Sequence, residues 1–236
     1  MQPQNPYQFG ATPATTGGAV LVSDAHKVLR NTYLLLALSM VPTVIGAFIG
    51  VNLDFSFMAQ HPFIGALGML AVAWGLMWAI AKNRDNGLGV MLLLGFTLFM
   101  GVILGPILQV ALHLSNGLQL ISLAAGGTGI IFFTLAGIVT VTKKDFSFMG
   151  QFLMIGAVLL LIGFLANAFF QIPALSLAMS GIAILVFSGF ILYDVSKIIH
   201  GGETNYIMAT LGLYLDIYNI FVNLLNILMM LSGRRD

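Results

Sequence analysis

Asp194 and Asp216 stand alone inside the last two apolar segments of a chain that keeps nearly all its other charges in short gaps between such segments. A carboxylate in a low-dielectric slab costs several kcal/mol or takes up a proton, so an ionisable side chain there points to function by default. Two such groups held close share a proton near neutrality and titrate as a pair. That chemistry makes a proton-controlled latch or, once ionised, an acidic site that attracts a cation. Around Asp216 the polar residues continue. At about 100° per residue, Asn205, Asp216, Asn219, Asn223 and Asn226 fall within about 80° of one another, with Gly212 in the same sector. A stripe of this kind avoids acyl chains and turns into a bundle, which places the last helix at the centre. It reads equally as a hydrated pathway or as asparagines tying helices together at about 1 kcal/mol each. Asp194 carries Ser176, Ser180, Ala183 and Phe187 upstream on its own face, and Lys197 one turn on offers it an ion pair. A short polar loop, His200 to Asn205, joins the two segments, so they are expected to be antiparallel neighbours whose carboxylates meet.

The elements that position these residues follow from composition. Charged residues make up 7% of the chain and hydrophobic ones 59%, where a soluble domain carries about 25% charge. The apolar residues come in blocks of about 20, the length of a membrane-spanning helix. Spans are expected near Asn31 to Val51, Pro62 to Ala81, Leu88 to Leu112, Leu118 to Val141, Gly150 to Phe170, Leu175 to Ile199 and Tyr206 to Leu231. The fold class is therefore an all-α, polytopic membrane protein, a seven-helix bundle over residues 30–236, preceded by a flexible tail over residues 1–29. Lys27, Arg30, Lys82, Arg84, Lys143, Lys144 and Lys197 all fall at one set of alternate ends, which puts the amino terminus in the cytoplasm. Arg234 and Arg235 fall on the other side of a seventh crossing.

Gly46 and Gly50, and again Gly101 and Gly105, stand four apart and are read as close helix contacts, while Pro106 is read as a bend in the third span. Trp74 and Trp78 are read as lipid-facing or core aromatics. A net charge of +1 offers no patch for nucleic acid. With no cysteine, and with His26, His61, His113 and His200 scattered, neither a metal centre nor a catalytic triad is expected. His200 and Glu203 are read as capping or solvating a turn. The aspartate pair alone permits intramembrane aspartyl proteolysis, but such enzymes place glycine two residues before the second aspartate, and here Tyr214 stands there. No catalytic residue, resident cofactor or metal is assigned.

The run Ile191-Leu192-Tyr193-Asp194-Val195-Ser196-Lys197-Ile198-Ile199-His200-Gly201-Gly202-Glu203, followed by Leu213-Tyr214-Leu215-Asp216-Ile217-Tyr218-Asn219-Ile220-Phe221, resembles the carboxyl-terminal signature of the Bax inhibitor-1 (TMBIM) family. Lys27-Val28-Leu29-Arg30-Asn31-Thr32-Tyr33, Leu104-Gly105-Pro106-Ile107-Leu108 and His200-Gly201-Gly202-Glu203-Thr204-Asn205-Tyr206 resemble its bacterial YccA-like branch, and the likeness runs from about residue 26 onward. The resemblance implies seven helices with the last one central. It implies a pH-sensitive leak for calcium or another cation, with Asp194 and Asp216 at the positions of the family's aspartate pair and calcium as cargo rather than cofactor. That mechanism employs a basic residue within the second helix. Pro62 to Ala81 contains none, so Lys82 and Arg84 at its end become, with Lys197, the candidate charge partners. The YccA-like branch implies a different role in the bacterial inner membrane: binding and modulating the membrane-anchored ATP-dependent protease FtsH, and being handled by it through the cytoplasmic tail. Asn219, Asn223 and Asn226 complete the candidate proton or ion pathway, and membrane lipid is the other expected partner.

Overall fold

The computed structural model describes residues 16–233. Its helices are α1 (Thr16–Val51), the short α2 (Ser56–Gln60), α3 (Pro62–Lys82), α4 (Gly87–Ile103), α5 (Gly105–Leu112), α6 (Gly117–Thr142), α7 (Gly150–Phe170), α8 (Pro173–Ile199) and α9 (Tyr206–Ser232), with a 3-10 turn at Ser147–Met149. Among the described residues 7 helical spans are long and apolar enough to cross a membrane, and they fall on the expected segments to within a few residues. Residues 1–15 of the expected tail, like Arg234 and Arg235, lie outside the described residues. Helix α1 already begins at Thr16, inside that expected tail, because hydropathy marks where a helix enters the bilayer rather than where it starts.

The third span is the one that breaks. Helix α4 ends at Ile103 and α5 begins at Gly105 with Pro106 in its first turn, since proline lacks the N–H that would continue the ladder. Helix α9 is central: it packs on α1, α3, α4, α5, α6 and α8. Leu213, Tyr214, Ile220 and Leu225 are its fully buried anchors. Large apolar side chains such as Phe48, Trp74, Trp78, Phe133 and Phe152 point outward, the inversion expected when the solvent is lipid.

Helices α1 and α4 close on glycine. A Cβ at Gly46 would meet the Leu98 carbonyl oxygen, one at Gly50 the Val102 carbonyl, and one at Gly101 the Thr43 carbonyl, so the backbones touch where side chains would normally separate them. At the end of α1 the Gln109 amide donates to the carbonyls of Val51 at 3.0 Å and Leu53 at 2.8 Å, satisfying groups the helix leaves open.

Three loops gather at one end of the bundle. The Asn205 amide donates to the Arg84 carbonyl at 2.9 Å and to Asp85 at 3.0 Å, tying the start of α9 to the α3–α4 loop. The Phe146 N–H donates to Ser196 Oγ at 2.8 Å, tying the α6–α7 loop to the end of α8. Lys82, Arg84, Lys143, Lys144 and Lys197 therefore share one face of the membrane domain, as alternation of the charged gaps predicts.

Candidate functional site

Helices α8 and α9 are antiparallel neighbours joined by the loop His200–Asn205, and they pack along their length. The loop is short because both helix ends are capped locally. His200 Nδ1 bonds the Ser196 carbonyl at 2.8 Å, and Asn205 Oδ1 accepts from the N–H groups of Ile207 and Met208 at 3.0 and 3.1 Å. Glu203 Oε1 accepts from the Asn205 N–H at 2.9 Å, so the capping role read for His200 and Glu203 is what the structure contains.

The register brings Asp194 against α9 one turn before Asp216. A Cβ at Gly212 would lie 2.5 Å from Asp194 Oδ2, so the glycine makes the space that the carboxylate fills. Asp216 is buried, at 5% exposure, and its Oδ2 has no hydrogen-bond partner. The charge that acts on Asp216 is Asp194, while Lys197 and Glu203 are those that act on Asp194. An orphaned, fully shielded carboxylate oxygen costs stability unless something else compensates, and among the described residues it shares that state with Thr32 Oγ1 and the Tyr33 hydroxyl on α1.

Asp194 lines a cavity of ≈ 260 Å³ at the Lys-rich end of the α8–α9 seam, together with Lys197, Glu203, Gly212 and an apolar floor that includes Met208 and Leu215. Lys197 lies beside the acids without an ion pair within 4.0 Å among the described residues. The other two basic candidates are elsewhere. Lys82 places its ammonium 5.0 Å from the Trp78 ring centroid, and Arg84 stands 3.8 Å from Asp85. Both sit at or beyond the end of α3, and neither is among the charges that act on the carboxylate pair. Glu203 is the site residue that sequence reasoning left out of the charge cluster; its place in a loop between two polar helix ends was the available signal.

The rest of the α9 stripe is bonded. Asn219 donates to the Leu215 carbonyl and Asn223 to the Asn219 carbonyl, each at 2.8 Å, folding their amides back onto their own helix. Asn226 donates across to Ser180 Oγ at 2.9 Å and toward Ser176 Oγ at 3.4 Å, so the serines read on the Asp194 face of α8 serve as its interhelical partners. On the opposite side of α9, Tyr214 bonds Thr43 Oγ1 at 2.9 Å and donates to the Thr97 carbonyl at 3.3 Å, locking α9 to α1 and α4.

Residues 25–233 match the family described as inhibitor of apoptosis-promoting Bax1. The chain is 47% identical over 205 residues to a protein of Escherichia coli K12 named modulator of FtsH protease YccA, covering 87% of this chain and 90% of that one. The same identity and coverage relate it to a protein of Escherichia coli O6:H1 named inner membrane protein YccA. An uncharacterized protein of Pseudomonas aeruginosa is 42% identical over 210 residues, covering 89% of this chain and 92% of its own. A seven-span, all-helical bundle with a central last helix, matched to the family over nearly all its described length, is a membrane protein of the Bax inhibitor-1 family, and this chain belongs to it.

Proposed function

We propose that this protein is a membrane regulator that binds an FtsH-type, membrane-anchored ATP-dependent protease and restrains it. The observation that carries this reading is the 47% identity, over 87% of the chain, to a protein named as a modulator of that protease. The role is regulatory rather than catalytic. Where an intramembrane aspartyl protease needs a flexible glycine before its second acid, Tyr214 is buried and hydrogen-bonded to two neighbouring helices. The protein resides in the bacterial inner membrane with its Lys-rich face, and with it the amino terminus, in the cytoplasm. The test is co-purification with the protease from native membranes in mild detergent, together with the turnover of a chain lacking residues 1–25. Association and altered turnover support the reading; no association under those conditions overturns it.

A second reading, a proton-gated leak for calcium or another cation, is favoured by one specific observation. Asp216 keeps an unpartnered oxygen next to Asp194, and Asp194 borders a cavity at the Lys-rich end. Protein reconstituted in sealed liposomes then passes calcium in a pH-dependent manner, and Asp216→Asn abolishes or clamps that flux. Tight vesicles at every pH remove this reading and leave the first untouched.

A further inference from the structure

The cavity on the α8–α9 seam has a lining of mixed charge. Asp194, Glu203 and Lys197 border it, and no ion pair within 4.0 Å joins Lys197 to either acid among the described residues. Asp194 accepts no hydrogen bond among them, and Glu203 has one oxygen engaged by the Asn205 N–H. Ile198, Met208, Ala209, Leu211, Gly212 and Leu215 supply the rest, so charged groups stand at the head of an apolar strip.

The cavity is also approachable from the side. Helix α7 packs on α8 but not on α9, and α3 packs on α4 and α9 but not on α8, while its backbone stays clear of α7. The seam therefore lies at the bottom of a cleft between α3 and α7. These two meet through the stacked rings of Phe63 and Phe169, centroids 4.6 Å apart, at the end remote from the lysines. Lys197 places its ammonium 5.9 Å from the Tyr193 ring centroid. Tyr193 in turn borders a second groove of ≈ 540 Å³ against Met154 and Ile155 of α7. One lysine thus stands on the ridge between an acid-bearing cavity and an apolar groove, both at the Lys-rich end of the bundle.

We propose that this cavity binds the headgroup of a zwitterionic phospholipid with a primary amine, that is, a phosphatidylethanolamine. Its ammonium has three N–H donors for the open oxygens of Asp194 and Glu203, and its phosphate matches Lys197. Its acyl chains follow the apolar strip of the cleft. The site discriminates by chemistry: phosphatidylcholine is equally zwitterionic but has no N–H to donate, and phosphatidylglycerol brings an anion to two acids without a cation to answer them. The site stands whether or not the chain engages a protease.

The test uses the full chain, purified and delipidated in detergent, then titrated with phosphatidylethanolamine, phosphatidylcholine and phosphatidylglycerol of one chain length. Bound lipid is read by native mass spectrometry and by the melting temperature. The ethanolamine lipid is expected to bind about tenfold more tightly than either of the others and to raise the melting temperature most. Lys197→Gln and Glu203→Gln are each expected to erase that preference, and Lys197→Arg to keep it. Equal binding of the three lipids, or a preference unchanged in both glutamine variants, overturns the proposal. If Lys197→Gln fails to fold, Glu203→Gln in the loop decides alone.

Discussion

The α1–α4 seam and the α8–α9 seam both depend on glycine, and they use it for opposite ends. Between α1 and α4, Gly46, Gly50 and Gly101 admit the partner backbone itself. Between α8 and α9, Gly212 admits a carboxylate, and the acid behind it, Asp216, keeps an oxygen with no partner. Farther along the same seam Asn226 and Ser180 are bonded to each other. The contrast separates the parts of the bundle that hold it together from the short stretch that spends stability on something else, and such unsatisfied stretches are where function concentrates.

The largest expected effect sharpens the first half of that contrast. Gly101→Leu drives a side chain into the Thr43 carbonyl of α1, and overpacking a backbone contact costs about 3 kcal/mol. Melting or denaturant titration in detergent measures it, and a loss no larger than that of a surface substitution removes the claim that the seam is closed by backbone. Next, Asn226→Ala removes the bridge to Ser180 and costs about 1 kcal/mol, with Ser180→Ala costing little more once Asn226 is gone. A double-mutant cycle without coupling would mean that this end of the stripe is not glue. Smaller still in stability, Gly212→Ala places a methyl against Asp194 Oδ2 and displaces that carboxylate, with a change within about 0.5 kcal/mol. Its signature is altered protease turnover or ion flux at near-normal melting temperature; wild-type behaviour in both assays would detach Asp194 from function.

The smallest effect lies in the α6–α7 loop. Hydrogen bonds from Ser147 hold the Asp145 carboxyl below its usual range, with His200 and Ser196 adding weaker pulls against slight desolvation. A depressed folded value means that the contribution is complete above the ordinary carboxylate range and is lost as pH falls through the folded value. Asp145→Asn should flatten a shallow acid-side fall in melting temperature below about pH 4. An unchanged acid profile would make that loop electrostatically irrelevant.

Much of this architecture is legible in the chain because a bilayer makes a coarse demand. Length and apolarity suffice to place seven spans, and Pro106 announces the break between α4 and α5. The wheel of α9 also picks the central helix, because a polar stripe has nowhere else to go. What the sequence does not carry is pairing at long range. That Asn219 and Asn223 fold back on their own helix while Asn226 reaches Ser180 depends on where α8 lies, a matter of packing rather than period. Lys82 and Arg84 are candidate charge partners because the family likeness asks for a basic residue in the second span and they stand at its end. The structure sets Lys82 over the Trp78 ring and Arg84 beside Asp85, at the rim end of α3. Glu203 was read as a cap, and it is one, but the same short loop also hangs it over the cavity.

The central claim is that the Asp216 end of the last helix is kept for function at the expense of stability. Reversible unfolding of the purified protein with Asp216→Asn, run beside Asn226→Ala, tests it most directly. The account predicts that Asp216→Asn melts no lower than the unaltered chain, since it replaces a buried acid whose Oδ2 nothing bonds, while Asn226→Ala melts lower. A destabilisation by Asp216→Asn equal to or greater than that of Asn226→Ala would contradict the account and make Asp216 one more structural tie.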